Sequence, residues 1–121
     1  VNYYIASRGE SIGTISYSEI SKISNSIGLV INTTPLGMPP YEDTSFDIDW
    51  QFFDNLETVI NLGYGSANTF LDKFDKSINQ HDGLGMLVCQ AIESFNIWTS
   101  ADLSPIRIYG EVLKELEGID D

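Results

Sequence analysis

The sequence predicts an α/β protein, a partial Rossmann-like, doubly wound parallel sheet with flanking helices. Three observations carry this reading. Short runs rich in β-branched and apolar residues recur at 1–6, 28–32 and 57–62. Stretches with helical spacing lie at 68–78, 84–98 and 104–116. Each β-like run stops at turn residues: Ser7-Arg8-Gly9, Asn32 to Gly37, and Gly63-Tyr64-Gly65. Strands alternating with helices imply parallel pairing, because a parallel strand needs a crossover segment to return the chain.

The elements follow in order. Val1 to Ala6 reads as a strand already under way, so the chain begins as a fragment of a larger fold would. A second short β-like piece covers Gly13 to Tyr17. Ser18 to Ile23 predicts a short helix capped by the Ser18 hydroxyl. Gly28 to Asn32 is a continuous apolar run stopped by polar residues, which predicts a strand buried on both faces. Thr33 to Pro40 holds three prolines and a glycine and must be a loop. It leads into an acidic, aromatic stretch from Tyr41 to Asp54, whose carboxylates read as solubilising.

Glu57 to Leu62 predicts another strand. Asn68 is placed to cap a helix to about Ile78, with Phe70, Leu71 and Phe74 at helical spacing, and Asn79 to Gly83 breaks it. The strongest helical signal is Leu84 to Trp98, where Leu84, Leu87, Val88, Ala91, Ile92, Phe95 and Trp98 form one apolar stripe. Pro105 suits the first turn of a last helix reaching about Leu116, before an acidic end expected to fray.

The chain of 121 residues has the length of one domain, and its 42% apolar content suits a folded core. Six Lys and Arg face eighteen Asp and Glu, a formal charge of −12. That charge repels nucleic acid and anionic membranes. No apolar run reaches the length of a transmembrane helix and no signal peptide opens the sequence, so the expected location is cytoplasmic. The single cysteine, Cys89, falls in a helical run and reads as a buried thiol. His81 reads as a surface-loop residue, and no Cys or His cluster offers a metal site.

In open parallel sheets, ligands bind at the carboxyl ends of the strands. That rule selects Ser7 to Gly9, Asn32 to Met38 and Leu62 to Gly65. Taken alone, it supports only a nucleotide-type site. Three segments go further. Leu29-Val30-Ile31 followed by Asn32-Thr33-Thr34-Pro35-Leu36-Gly37-Met38 resembles the signature that follows the fourth dinucleotide-domain strand of the shikimate dehydrogenase family. Gly83-Leu84-Gly85-Met86-Leu87-Val88-Cys89-Gln90-Ala91, with Phe95 and Trp98, resembles the family's C-terminal helix. Between them, Asn61-Leu62-Gly63-Tyr64 is similar to a family segment in which an acidic residue and a hydrophobic residue end a strand and a tyrosine follows. The three lie in register and span almost the whole chain.

The resemblance implies an NADP-dependent oxidoreductase that reduces 3-dehydroshikimate to shikimate in aromatic amino-acid biosynthesis. Arg8 matches the arginine that pairs with the 2′-phosphate of NADP, with Ser7 beside it; by itself Arg8 reads as a solvated surface cation. Thr33 and Thr34 match the loop beside the ribose and nicotinamide, and alternatively satisfy local backbone. Leu62 and Gly83 match the residues that border the nicotinamide, the glycine permitting close approach. Tyr64 and Gln90 match the groups that reach the substrate. Gly83 and Gln90 are seven apart, on one helix face. Residues 1–121 would be the C-terminal nucleotide-binding domain, with 83–121 as helices packing toward a substrate domain.

Two parts of the chemistry are absent from this sequence: the Gly-rich pyrophosphate turn, and the lysine–aspartate pair that the family uses to handle the proton. No residue is therefore assigned as catalytic, and the expectation is that the chain does not turn over alone. Alternatives are a quinate-type dehydrogenase and a non-catalytic α/β interaction module. An exposed sheet edge or core face predicts a homodimer.

Overall fold

The computed structural model describes residues 2–9, 11–41, 43, 44, 46–65 and 69–119, the last in its backbone only. The chain divides into two compact units, Val1–His81 and Asp82–Asp121.

The first unit holds two parallel sheets. In one, β1 (Ile5–Ser7) pairs with β2 (Thr14–Ser16), Ile5 opposite Thr14 and Ser7 opposite Ser16. The strand begins at Ile5, later than the sequence suggests, because β2 offers only three residues to pair with. Six residues, 8–13, join the two strands, with no helix among those described. A parallel return over so short a strand must cover only ~10 Å. Six residues can span about twice that.

Helix α1 (Tyr17–Ile23) is capped by Ser16 rather than by the expected Ser18. The reason lies three residues on. Glu19 accepts the Ser16 backbone N–H at 2.8 Å and the Ser16 hydroxyl at 2.8 Å, the reach-back of a capping box. Ser18 instead shares a hydroxyl–hydroxyl bond with Ser16. Hydrogen bonds from the Ser16 backbone, then from its hydroxyl, hold the Glu19 carboxyl below its ordinary value.

The second sheet has the order β3-β4-β5, from Leu29–Asn32, Thr58–Asn61 and Asn79–His81, all parallel. Val30 stands opposite Val59 and Asn32 opposite Asn61. Val59 is completely buried, and Val30 packs on the same cluster. The expectation of a doubly buried β3 is corrected: Leu29 and Ile31 are each 50% exposed. β3 lies at a sheet edge, and the core covers only the face of Val30 and Val59.

That core is largely aromatic. Phe70 and Phe74 are buried beside Phe53, Leu56 and Val59. Phe46 and Trp50 meet Phe70 edge-on, with centroids 5.7 and 6.0 Å away. The acidic stretch 41–54 therefore carries Phe46, Trp50 and Phe53 inward, while Tyr41 and Phe52 stay exposed. Asp49 accepts the Gln51 N–H and starts a 3-10 turn at Trp50–Phe52.

The helix expected over 68–78 does not form; Asn68 lies outside the described residues. Only a 3-10 turn, Leu71–Lys73, appears there. Phe70 and Phe74 are fixed by the core, and Asp75 accepts the Ser77 N–H at 2.8 Å, a side-chain turn that competes with helix. The chain then enters β5, where a break was expected. Asn79-Gln80-His81 has no strand-forming composition, so its pairing with β4 is imposed by the neighbour. His81 is thus an exposed strand residue, not a loop residue.

The second unit is a helical pair, α2 (Leu84–Thr99) and α3 (Pro105–Ile119). Gly83 occupies the N-cap of α2 and Asp82 accepts the Leu84 N–H at 3.0 Å. Asn96 fixes the connection, donating to the Leu103 carbonyl and accepting its N–H. The helices approach closely at Gly85, where a Cβ would lie 3.3 Å from the Tyr109 ring. Cys89 is half-buried rather than buried. Among the described residues no helix is long and apolar enough to cross a membrane.

Candidate functional site

The carboxyl ends of β3 and β4 lie side by side, since Asn32 and Asn61 are paired in register. The turns that follow them, with Thr33 and Thr34 on one and Leu62 and Tyr64 on the other, are therefore adjacent. The Leu62 N–H donates to the Asn32 carbonyl at 3.0 Å and extends the ladder by one step. Tyr64 is half exposed.

The loop after β3 is built on side chains. Asn32 and Asn61 are 4% and 1% exposed. Asn32 Nδ2 donates to Asn61 Oδ1 at 2.8 Å and, at 3.5 Å, to the Leu36 carbonyl. Asn32 Oδ1 accepts the Thr34 N–H at 3.0 Å and the Thr34 hydroxyl at 2.8 Å. The Thr34 hydroxyl oxygen in turn accepts the Leu36 N–H at 3.3 Å. Asn61 Nδ2 has no partner among the described residues. Neither asparagine stands out in the sequence as more than a strand-terminating polar residue; burial at a parallel pair is what gives them weight.

Thr33 and Thr34 differ in consequence. Thr33 is exposed. The Thr34 hydroxyl is spent on Asn32 and Leu36, so this side chain shapes the loop. Ser7 and Arg8 follow β1 in the other sheet. Arg8 is exposed and makes no ion pair among the described residues, and Ser7 Oγ accepts the Gly9 N–H at 3.4 Å. No hydrogen bond links this turn to the loops after β3 and β4 among the described residues.

In the helical unit, Gly83 is buried and adopts an ordinary right-handed conformation, φ −79°. Its carbonyl accepts the Leu87 N–H at 2.9 Å. Gln90 is exposed two turns along the same helix, its amide unengaged among the described residues. Among those residues no cluster of His, Cys, Asp and Glu could hold a metal ion.

Comparison with known proteins agrees on one family. A family model described as the shikimate 5'-dehydrogenase C-terminal domain matches residues 83–104. Shikimate dehydrogenase (NADP(+)) of Prochlorococcus marinus is 34% identical over 108 residues, covering 80% of this chain and 36% of that protein. The enzyme of the same name from Clostridium beijerinckii is 38% identical over 101 residues, covering 81% and 36%. The chain belongs to the shikimate dehydrogenase family. A solved relative agrees, a chorismate mutase/shikimate 5-dehydrogenase fusion protein from Clostridium acetobutylicum. It superposes with a TM-score of 0.74 at 30% identity, over 95% of this chain and 43% of that one. This family member spans a little over a third of the length of the curated relatives it matches.

Proposed function

We propose that this chain forms the dinucleotide-binding part of an NADP-dependent oxidoreductase that interconverts 3-dehydroshikimate and shikimate. The observation that supports this reading best is the set of strand-end turns. Parallel strands end at an exposed arginine, unpaired among the described residues, and at a hydrogen-bonded loop, in a chain whose relatives are named for NADP. The donor set fits a phosphorylated nucleotide. Arg8 offers a planar guanidinium, unpaired among the described residues, for a 2′-phosphate. Among the described residues Ser7 Oγ is used only as an acceptor, which leaves its O–H for the same phosphate. Thr33 supplies an exposed hydroxyl, and Thr34 contributes by shaping the loop. Leu62 and Gly83 border the nicotinamide, and Tyr64 and Gln90 meet the polyol acid. Residues 83–121 belong to the part that faces a substrate domain. When bound, the cofactor supplies the hydride chemistry.

Proton handling is a separate matter. Lys22 lies on α1 and Lys73 in a 3-10 turn, neither at a strand's carboxyl end. The reading therefore assigns no catalytic residue and expects no turnover by this chain alone. The acidic surface suits the cytoplasm. β1 and β3 each have one unpaired edge in their sheets, and Leu29 and Ile31 are half exposed on β3. We read this as a self-association surface, which a monomeric sedimentation profile would refute.

Calorimetric titration tests the main reading. NADPH should bind more tightly than NADH. Shikimate and quinate, added to the NADPH-saturated chain, report the substrate preference of Tyr64 and Gln90. No heat with either dinucleotide sinks the reading, as does dehydroshikimate-dependent NADPH oxidation sink the expectation of an inert chain.

A further inference from the structure

The reach of the Asn32–Asn61 pair extends past the two strands that carry it. Asn32 uses both ends of its amide: the oxygen takes the Thr34 N–H and hydroxyl, and the nitrogen gives to Asn61 and, at longer range, to Leu36. Its orientation is thereby fixed. A flipped Asn32 would set its NH2 against the Thr34 N–H and its oxygen against Asn61. Among the described residues the only short acceptor for Asn32 Nδ2 is Asn61 Oδ1, at 2.8 Å, against 3.5 Å for the Leu36 carbonyl. Asn61 lies on central β4, which has a strand on each side, so it is the stationary member. From it the chain of bonds runs to Asn32, to Thr34 and on to the Leu36 N–H.

We propose that Asn61 is a positioning residue for the dinucleotide site, holding the 33–36 loop in its binding shape through Asn32 without touching the ligand. The proposal rests on the reading of this loop as part of the cofactor site. Asn61 enters the relay as an acceptor only, since its Nδ2 has no partner among the described residues. That fixes which substitutions matter. Asn61→Leu keeps the volume and deletes the acceptor, so Asn32 Nδ2 loses its anchor. Asn61→Asp keeps an oxygen in place and strengthens the bond from Asn32 by charge assistance. Whatever the buried charge does to global stability, the loop stays tied to β4.

Amide hydrogen exchange on the chain itself, followed by NMR, separates these effects. In Asn61→Leu, the Thr34 and Leu36 amides should exchange about tenfold faster or more relative to Val59 and Ile60. In Asn61→Asp, that loop-to-strand ratio should return to the wild-type value. NADPH affinity should follow the same order, weakened in the leucine variant and recovered in the aspartate one. Loop and strand amides accelerating together in Asn61→Leu would mean a merely structural residue and overturn the proposal. So would an unchanged ratio. If the leucine variant does not fold, the aspartate variant decides alone, and selective loop opening in it refutes the relay. If the wild-type chain takes up no NADPH, the cofactor reading fails, and the relay is judged on the exchange ratio only.

Discussion

Asn32 and Asn61 are joined amide to amide at 2.8 Å, both almost fully buried, at the carboxyl ends of two parallel strands. A buried polar pair in this position is costly unless both partners are satisfied, and Asn32 satisfies more groups than Asn61 does. Asn32→Leu would leave the Thr34 N–H and the Asn61 oxygen without their partner. Each orphaned group costs about 1–3 kcal/mol, so the substitution is expected to destabilise by ~2–4 kcal/mol. Urea denaturation measures this, and a loss below half a kilocalorie would show that water replaces the network.

On the proposed reading, Arg8 is the residue that selects the dinucleotide. Its guanidinium is exposed and unpaired among the described residues, so no internal ion pair must break before it meets a phosphate. Arg8→Gln removes the charge and keeps a polar side chain of similar reach. A lost charge-assisted bond to the 2′-phosphate corresponds to about ten- to a hundredfold weaker NADPH binding. NADH lacks that phosphate and should bind as before. Equal weakening of both would relocate Arg8 from selectivity to general folding or charge effects.

Gly85 tests the helical pair. A Cβ there sits 3.3 Å from Tyr109 Cζ, close enough that the ring must shift by a few tenths of an ångström. Against that stands the helix preference of alanine over glycine, ~1 kcal/mol. Gly85→Ala is therefore expected near neutral. Gly85→Leu gains similar helix preference but forces a whole side chain into the ring, and overpacking of this kind costs ~1–3 kcal/mol. The leucine variant should melt lower than the alanine one. The reverse order, read by circular dichroism, would mean that Tyr109 swings clear.

Much of this architecture is legible in the sequence, for identifiable reasons. β3, β4 and α2 have unambiguous periodicity or apolar runs, and they form within a residue or two of their expected bounds. The failures share a cause, which is tertiary contact overriding local preference. Phe70 and Phe74 have helical spacing, yet they are drawn separately into an aromatic core with Trp50. β5 is entirely polar and exists because β4 offers it an edge. At the candidate site, the turn positions follow from strand ends alone, whereas the role given to Arg8 comes from the family resemblance. The roles of Asn32 and Asn61 do not, because nothing in one sequence says that two asparagines twenty-nine residues apart share a bond.

The capping of α1 carries a pH signature. The Ser16 backbone N–H, then the Ser16 hydroxyl, holds the Glu19 carboxyl below its ordinary value, with a smaller favourable contribution from Lys22. A carboxyl depressed in the folded state stabilises that state at pH above its unfolded pKa. The stabilisation fades as pH falls through the folded value, where both states are protonated. Glu19→Gln keeps an oxygen for the Ser16 N–H but has no charge to lose. The melting temperature of the wild type should therefore exceed that of the glutamine variant at neutral pH, and the two should converge in acid. The gap is expected to be small, because Glu19 is solvent-exposed and water screens its charge. A gap that persists unchanged below the carboxylate range would assign the effect to side-chain packing instead of to the ionised cap.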